Sequence, residues 1–268
     1  MAPAPDIPVA RPFFPKKSLG QHFLVDPNTA RNIVGALRAP SSGAIIEIGS
    51  GTGALTRLLR EQYDTIVALE IDPRAVQYLR ATFPGLHVRQ VDVLKSDWGA
   101  MAQEHGQPLW VIGNLPYYIT SPILFGLLAQ RQHVVEAVLM VQRELAERII
   151  ARPQTKEYGV PSVLVQVYAQ AELLFRVSRN VFSPKPAVES AVIRLAFAEG
   201  PDISQALLAQ VVRTAFNQRR KMLHNSLGAW TRTQGIALPH GWGRRRAEDL
   251  SPSAFVELAH YLNEHTDA

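Results

Sequence analysis

Several residues of this chain have types and spacings that could serve one ligand. "EIGSGTGALT" (47–56) sets Gly49, Gly51 and Gly53 between an apolar run and a helical stretch. Glycines there let the backbone turn tightly and approach a bound molecule with no Cβ in the way. Glu70 follows 21 positions after Gly49, at the end of the next apolar run, "TIVALEID". A carboxylate at that point can accept two ribose hydroxyls. Asp92 ends "LHVRQVD", and Asn114 ends "PLWVIGN". Polar residues at successive strand ends converge on one crevice, where open α/β sheets bind ligands. The glycine pattern is G-x-G-x-G, not the G-x-G-x-x-G of dinucleotide binders, and nothing else suggests a pyrophosphate. A ligand with adenosine but no phosphates fits better, and S-adenosylmethionine is one. "NLPYY" (114–118) adds an amide, carbonyls and rings where a strand runs out. A proline turn with packed aromatics is the plainer reading of that stretch taken alone.

Other chemistries have no support. There is no cysteine, which removes disulfides, cysteine zinc sites and thiol nucleophiles. The eight histidines are scattered and make no H-E-x-x-H pattern, so no protein-bound metal is expected. Neither a G-x-x-x-x-G-K-[ST] loop nor a G-x-S-x-G elbow occurs. No apolar run approaches the roughly 20 residues of a membrane span. The Pro-rich start, "MAPAPDIPVARPFFPKK", lacks a secretory apolar segment and reads as a flexible arm (1–15) on a cytoplasmic chain.

The net charge of +5 conceals an uneven distribution. Between Ile203 and Ala247 stand eight basic residues and no acidic one, leaving 20 basic against 23 acidic residues, a net −3, elsewhere. Ordinary solvated faces mix both signs, so a block of one sign points to a polyanion, most often nucleic acid.

The elements that must position these residues follow from patterning. Strands are predicted at "AIIEIG", "TIVALEID", "LHVRQVD", "PLWVIGN" and "EAVLMVQ", with helices between them at "ALTRLLREQ", "PRAVQYLRATF" and "SPILFGLLAQ", then "RELAERIIA". Ser121 is the expected cap of "SPILFGLLAQ", with Pro122 at its first position. Alternation of this kind means βαβ units and a mostly parallel sheet covered on both faces. "LLFRVS" and "SAVIRLAF" look like a final strand pair closing one edge, and "RPQTKEYGVPS" like a polar loop. After "EGPD" (199–202) one long helix is expected over "SQALLAQVVRTAFNQRRKMLHNSL", capped by Ser204, with an apolar stripe at Leu208, Val211, Val212, Ala215, Met222 and Leu223. "SPSAFVELAHYLNEH" closes the chain as a further helix. The expected organisation is an arm (1–15), an α/β catalytic domain (16–198) and a small basic helical domain (199–268).

The motifs "KKSLGQHFLVD", "EIGSGTGALT", "LEID", "VDVL", "GNLPYYITSP" and "VFSPKPAVESAVIRL", in this order over roughly residues 16–225, resemble the ribosomal RNA adenine N6,N6-dimethyltransferase family, in its bacterial small-subunit branch. The resemblance implies a class I S-adenosylmethionine-dependent methyltransferase fold, Rossmann-like with a mostly parallel seven-stranded sheet, plus an all-α C-terminal domain. It implies donor contacts at His22, Leu24, Gly49, Glu70, Asp92 and Asn114, with Gly51 in the same glycine turn. His22 stands where relatives carry Asn or His, and no acid–base role is expected of it. The substrate it implies is 16S rRNA, in a 30S subunit or its precursor, methylated at two adjacent adenines of the 3′-terminal hairpin loop. Neither membrane nor metal is involved, and a monomer is the default.

On that resemblance the Asn114–Tyr117 stretch acquires a chemical sense. The adenine amino lone pair is delocalised into the ring. Two acceptors aimed at its N–H groups, the Asn114 side-chain oxygen and the Leu115 or Pro116 carbonyl, would favour a pyramidal nitrogen facing the methyl. Tyr117 offers a stacking face and Phe182 the other, for a base taken out of its stack. No strong general base is required, since the alkylated amine loses its proton to water. Arg219, Arg220, Lys221, Arg244, Arg245 and Arg246 are candidate contacts to the RNA backbone. Lys16 and Lys17 on the arm are candidates to close over the base. The rivals are a large-subunit methylase of the macrolide-resistance type, whose members more often show "NIPY" or "NIPF", a non-catalytic nucleic-acid-binding relative, and a DNA adenine methyltransferase, which more typically carries "DPPY" or "NPPY".

Overall fold

The computed structural model describes residues 13–106 and 108–265, and of Lys17 the backbone alone. Most of the expected arm therefore lies outside the described residues. The chain divides into two compact units. One runs up to Arg143 and takes in Leu174–Arg194; the other holds Glu144–Leu173 and the chain from Leu195 on. The second unit thus contains a stretch from mid-chain as well as the C-terminal residues.

Along the chain come β1 Phe23–Leu24, α1 Pro27–Gly35, β2 Ala44–Ile48, α2 Ala54–Leu59, β3 Thr65–Glu70, α3 Pro73–Thr82, β4 His87–Gln90, α4 Trp98–His105 and β5 Leu109–Asn114. Next are α5 Thr120–Ala129, β6 Val134–Gln142, α6 Arg143–Ile149, α7 Val160–Tyr168, β7 Ala169–Val177, β8 Phe182–Ser183 and β9 Ser190–Phe197. Seven strands form one sheet in the order β4-β3-β2-β5-β6-β9-β7. The β4, β3, β2, β5 and β6 ladders are all parallel, and β7 and β9 close one edge as the sequence predicts. Every residue of β2 is buried, which is why its apolar run is unbroken: a parallel strand is covered on both faces.

The register places the site. Ile48 lies beside Leu69 on one side and Gly113 on the other, so β2, β3 and β5 end level. Chain order reverses between β2 and β5, a topological switch point of the type where such sheets open a crevice. Asp72 caps α3, accepting from the Arg74 amide, with Pro73 at the first helical position. Two expectations need correction here. Helix α5 starts at Thr120, one residue before the proposed Ser121 cap, because the Thr120 hydroxyl donates to the Pro116 carbonyl at 3.0 Å and winds the chain up early. The stretch 152–162 is not loop to its end, since α7 opens at Val160 behind Gly159, whose amide donates to Ser162 Oγ at 3.0 Å.

In the second unit, α8 Gln205–Asn217, α9 Leu223–Ser226, α10 Gly228–Thr233 and α11 Pro252–Glu264 complete the chain. Helices α7, α8 and α11 pack on one another. Leu208, Val211, Val212 and Ala215 of α8 and Phe255, Leu258 and Leu262 of α11 are buried, the larger side chains contributing roughly 1.5–3 kcal/mol each. Ser204 caps α8 as expected. The single long helix does not form. Asn217 ends α8, and Met222 instead pairs across to Arg246 while the Leu223 amide donates to the Arg245 carbonyl at 2.8 Å. These non-local bonds override a helical propensity worth only tenths of a kcal/mol per residue.

Candidate functional site

Above the level ends of β2, β3 and β5 lies a cleft with about 800 Å³ of space between its walls, open water included. Gly49, Gly51, Glu70, Asp92, Asn114 and Tyr117 line it, and His22 faces them from the N-terminal segment. No lysine or arginine is among the described residues that line it.

The glycine turn is organised by Glu70. Its Oε2 accepts from the Gly51 amide at 2.9 Å, and its Oε1 from the amides of Ile71 and Asp72 at 2.9 and 3.0 Å. Burial pushes this carboxyl above its ordinary range, and the three amides pull the other way. With so many acceptor positions used on backbone, Glu70 shapes the turn as much as it offers itself to a ribose. Gly51 sits at φ +51°, with the Phe23 ring 3.1 Å from where a Cβ would stand. Gly53 serves helix packing instead, since a Cβ there would lie 2.3 Å from the Phe83 ring. Asp92 stands two residues beyond β4, where its Oδ1 accepts from the Leu94 amide at 3.0 Å and starts a short turn. Leu24 is buried and borders a smaller cavity that shares Gly49, Gly51 and Asn114 with the main one.

Asn114 donates its Nδ2 to the His22 carbonyl at 3.0 Å, which leaves Oδ1 as the amide atom with acceptor capacity toward the cleft. The Leu115 amide donates to Met140 O, and the Pro116 carbonyl already accepts from the Ile119 amide and the Thr120 hydroxyl. No hydrogen bond among the described residues reaches the Leu115 carbonyl. Of the two carbonyls the sequence left open, Leu115 is therefore the available acceptor. Tyr117 shares a 2.6 Å hydrogen bond between its hydroxyl and Ser190 Oγ, and burial holds the phenol above its usual pKa. Its ring stacks on that of His22, centroids 5.8 Å apart. The His22 Nδ1 donates to the Pro184 carbonyl at 2.8 Å.

Phe182 is not brought to the cleft. It is 2% exposed, in a core with Leu24, Val138 and Val192, because β8 pairs antiparallel with β1 and sets Phe182 opposite Leu24. His22 stands on the Tyr117 ring instead.

Sequence reasoning passed over three features. Glu47, wholly buried under the glycine turn, accepts from the Thr56 hydroxyl at 2.5 Å, and burial pushes its carboxyl up to about 7. Asp72, held down to about 2 chiefly by Arg74, also accepts from Gln21 Nε2 at 3.0 Å. Arg74 in turn donates to the Phe14 carbonyl at 2.9 Å and lies over the Phe13 ring, so residues 13–22 are latched to α3. The Asp-Pro pair at 72–73 was the signal for a cap but not for the latch. Tyr118, 57% exposed on the cleft wall, packs against Gly20, where a Cβ would lie 3.0 Å from its ring.

The basic candidates separate into two groups. Arg219 donates Nε to Glu248 Oε2 at 2.9 Å and its terminal nitrogens to the carbonyls of Lys156 and Thr155 at 2.5 and 2.7 Å. Its guanidinium is spent inside the unit, clamping the 155–156 turn. Arg220, Lys221, Arg244, Arg245 and Arg246 are all exposed, and the Met222–Arg246 bridge brings the two runs side by side. Arg245 lies 5.3 Å over the Trp242 ring. Lys16 is exposed in the first unit, while the Lys17 side chain lies outside the described atoms.

A family model described as "Ribosomal RNA adenine dimethylase" matches residues 13–264. Ribosomal RNA small subunit methyltransferase A of Salinibacter ruber is 53% identical over 261 residues, covering 96% of this chain and 88% of the relative. The protein of the same name from Geobacillus thermodenitrificans is 40% identical over 265 residues, covering 92% and 90%. Among solved structures, a dimethyladenosine transferase from Plasmodium falciparum superposes with a TM-score of 0.74 at 25% identity, over 91% of this chain and 98% of that one. The 23S rRNA methyltransferase ErmE gives 0.65 at 25% identity, over 90% and 99%.

Proposed function

The chain belongs to the ribosomal RNA adenine dimethylase family, and on that premise we propose how its residues carry out the reaction. It is an S-adenosylmethionine-dependent methyltransferase that dimethylates adenine N6 in small-subunit, 16S rRNA. The donor fits the residues present. A cleft with glycine backbone, two carboxylates and, among its described lining residues, neither lysine nor arginine suits adenosine joined to a cationic sulfonium better than a pyrophosphate. When bound, the donor would supply an electrophilic methyl and leave as the neutral thioether S-adenosylhomocysteine. Glu70 and Asp92 would hold its ribose and base end, beside the apolar Ile71, Val93 and Ile123, and Gly49, Gly51, Leu24 and His22 would complete the surround.

The protein's own contribution is orientation in a water-poor pocket. In the first transfer Asn114 Oδ1 and the Leu115 carbonyl accept the two amino hydrogens, and in the second one of them accepts the hydrogen that remains, so that the nitrogen lone pair faces the methyl; Pro116 shapes the turn and Tyr117 stacks on the extruded base. Fixed dipoles of this kind are worth about 3–4 kcal/mol when one is removed. The proton released from nitrogen passes to water. The observation that carries this reading is the Asn114 Nδ2 bond to the His22 carbonyl, because it commits Oδ1 to the substrate side.

Arg220, Lys221 and Arg244–Arg246 contact RNA phosphates in this reading, with Lys16 and Lys17 near the base. Their exposure and convergence support that role for the first five; Arg219 acts as a clamp behind them. The target is the pair of adjacent adenines in the 3′-terminal hairpin loop, methylated in a 30S particle or its precursor, late in assembly, by a monomer. No helix among the described residues is long and apolar enough to cross a membrane, and the proposed place of action is the cytoplasm. The test is incubation of the enzyme with labelled donor and 30S particles lacking the modification, followed by mapping of the labelled nucleotides. Label at those two adenines is the expected result. Label only at other nucleotides of the 16S RNA, or none, overturns the reading.

A further inference from the structure

We propose that Ser190 is a positioning residue for methyl transfer, holding the Tyr117 ring at the place where the extruded adenine stacks. The proposal deepens the functional reading above and rests on it. Tyr117 opens a short 3-10 turn, Tyr117–Ile119, directly behind Pro116, and a ring on such a turn has two side-chain torsions to settle. Stacking on a base needs the ring axis pointed one way, which the torsion about Cα–Cβ sets, and the ring plane fixed, which the torsion about Cβ–Cγ sets. The structure supplies two restraints. At the tip of the ring, the hydroxyl meets Ser190 Oγ at 2.6 Å, which fixes where the ring axis points. Ser190 is the first residue of β9 and has no exposed surface, so this anchor is set in the sheet. Across one face, the ring meets His22, whose Nδ1 is itself held by the Pro184 carbonyl at 2.8 Å.

Both restraints depend on one segment, residues 184–190, which supplies Ser190 itself and the Pro184 carbonyl that holds His22. That segment follows Phe182, the residue from which the sequence promised a second stacking ring and whose side chain is buried in the core. In this arrangement the segment acts on the base through hydrogen bonds, one directly on Tyr117 and one through His22. The Tyr117–Ser190 bond spans 73 positions of sequence and ties the loop after β5 to the start of β9. Burial of the phenol keeps it protonated, so the hydroxyl can donate to Ser190 throughout the working pH range.

The test is a double-mutant cycle in the full-length enzyme on 30S particles, with Ser190→Ala, Tyr117→Phe and the pair. Tyr117→Phe keeps the ring and removes only the hydroxyl, so it reports on the bond even if Ser190→Ala folds poorly. Each single change should lower kcat about three- to tenfold, the scale of one net hydrogen bond. The pair should be no slower than the worse single variant, because both remove the same interaction. Donor and RNA affinities should stay within about twofold of wild type, a split that a general weakening of β9 would not produce. Multiplying effects in the pair, or a Ser190→Ala enzyme with wild-type kcat, would overturn the proposal while an active wild type leaves the reaction assignment standing. A wild type that transfers no methyl to adenine would end both.

Discussion

The cleft of the first unit and the basic surface of the second use polar groups in opposite ways. In the cleft, Glu70 takes three amides, Asn114 spends its NH₂ on a carbonyl, Pro116 accepts twice, and Tyr117 is tied to Ser190. What remains to meet a ligand is a few directed lone pairs and ring faces. On the basic surface, Arg220, Lys221 and Arg244 to Arg246 keep their charged ends in solvent. Chemistry on a poor nucleophile needs atoms placed to within tenths of an ångström, which only bonded, buried groups achieve. Holding a polyanion needs charge near a surface, and phosphates are matched by flexible cations whose counterions are released on binding. Single changes should therefore be drastic in the first region and graded in the second.

The largest effect expected is in the cleft. Asn114→Ala should lower kcat about 10²- to 10³-fold, the scale of losing one oriented transition-state dipole, with donor affinity within a few-fold. Methyl transfer from labelled donor and a donor titration measure the two separately, and full activity would dissolve the contrast.

Glu47 provides the next test, on stability. Its folded-state carboxyl titrates near 7 against 4.5 in the unfolded chain. The unfolded state therefore ionises first as pH rises, so stability falls between about 4.5 and about 7 and is flat beyond. The shift corresponds to a contribution of up to about 3 kcal/mol. Urea unfolding at pH 5 and pH 8 should show that loss in the wild type and a much smaller one in Glu47→Gln.

Arg219 marks the boundary of the comparison, a basic residue used in the manner of the cleft. Arg219→Ala should destabilise the protein by about 1–3 kcal/mol, through the Thr155 and Lys156 carbonyls and Glu248 left without their donor, and leave the salt slope of RNA binding unchanged. The smallest effects belong to its exposed neighbours. Arg220→Ala and Lys221→Ala should each weaken RNA binding modestly at every RNA sequence, reduce the slope of log affinity against log salt by up to about one, and leave thermal stability unmoved. A changed slope in Arg219→Ala with none in these two would reverse the assignment.

Much of the cleft was legible in the sequence because its signals are local. A glycine turn after a strand, an acidic residue at the next strand end and "NLPY" at the fourth each report a backbone position within a few residues. The parallel sheet was legible for the same reason, from apolar runs spaced by helix-length stretches. The misreadings share the opposite property. The helix expected over 204–227 breaks because Met222 finds Arg246, 24 positions on. Arg219 looked like one more cation of a run until Glu248, Thr155 and Lys156 claimed it. Phe182 looked available because nothing in "VFSPKP" says that it faces Leu24. The choice between the Leu115 and Pro116 carbonyls turned on a hydroxyl at Thr120, four residues away but on a turn the pattern does not reveal.

By itself, then, the sequence determined which residues stand at the strand ends, that the ligand would carry no phosphates, and that one surface would be strongly positive, because strand periodicity, glycine spacing and charge count are properties of neighbours along the chain. Only the tertiary structure decided which of those groups are still free to act. A donor or acceptor has few partners to give, and whether it has given them already depends on residues brought beside it by folding from far along the chain.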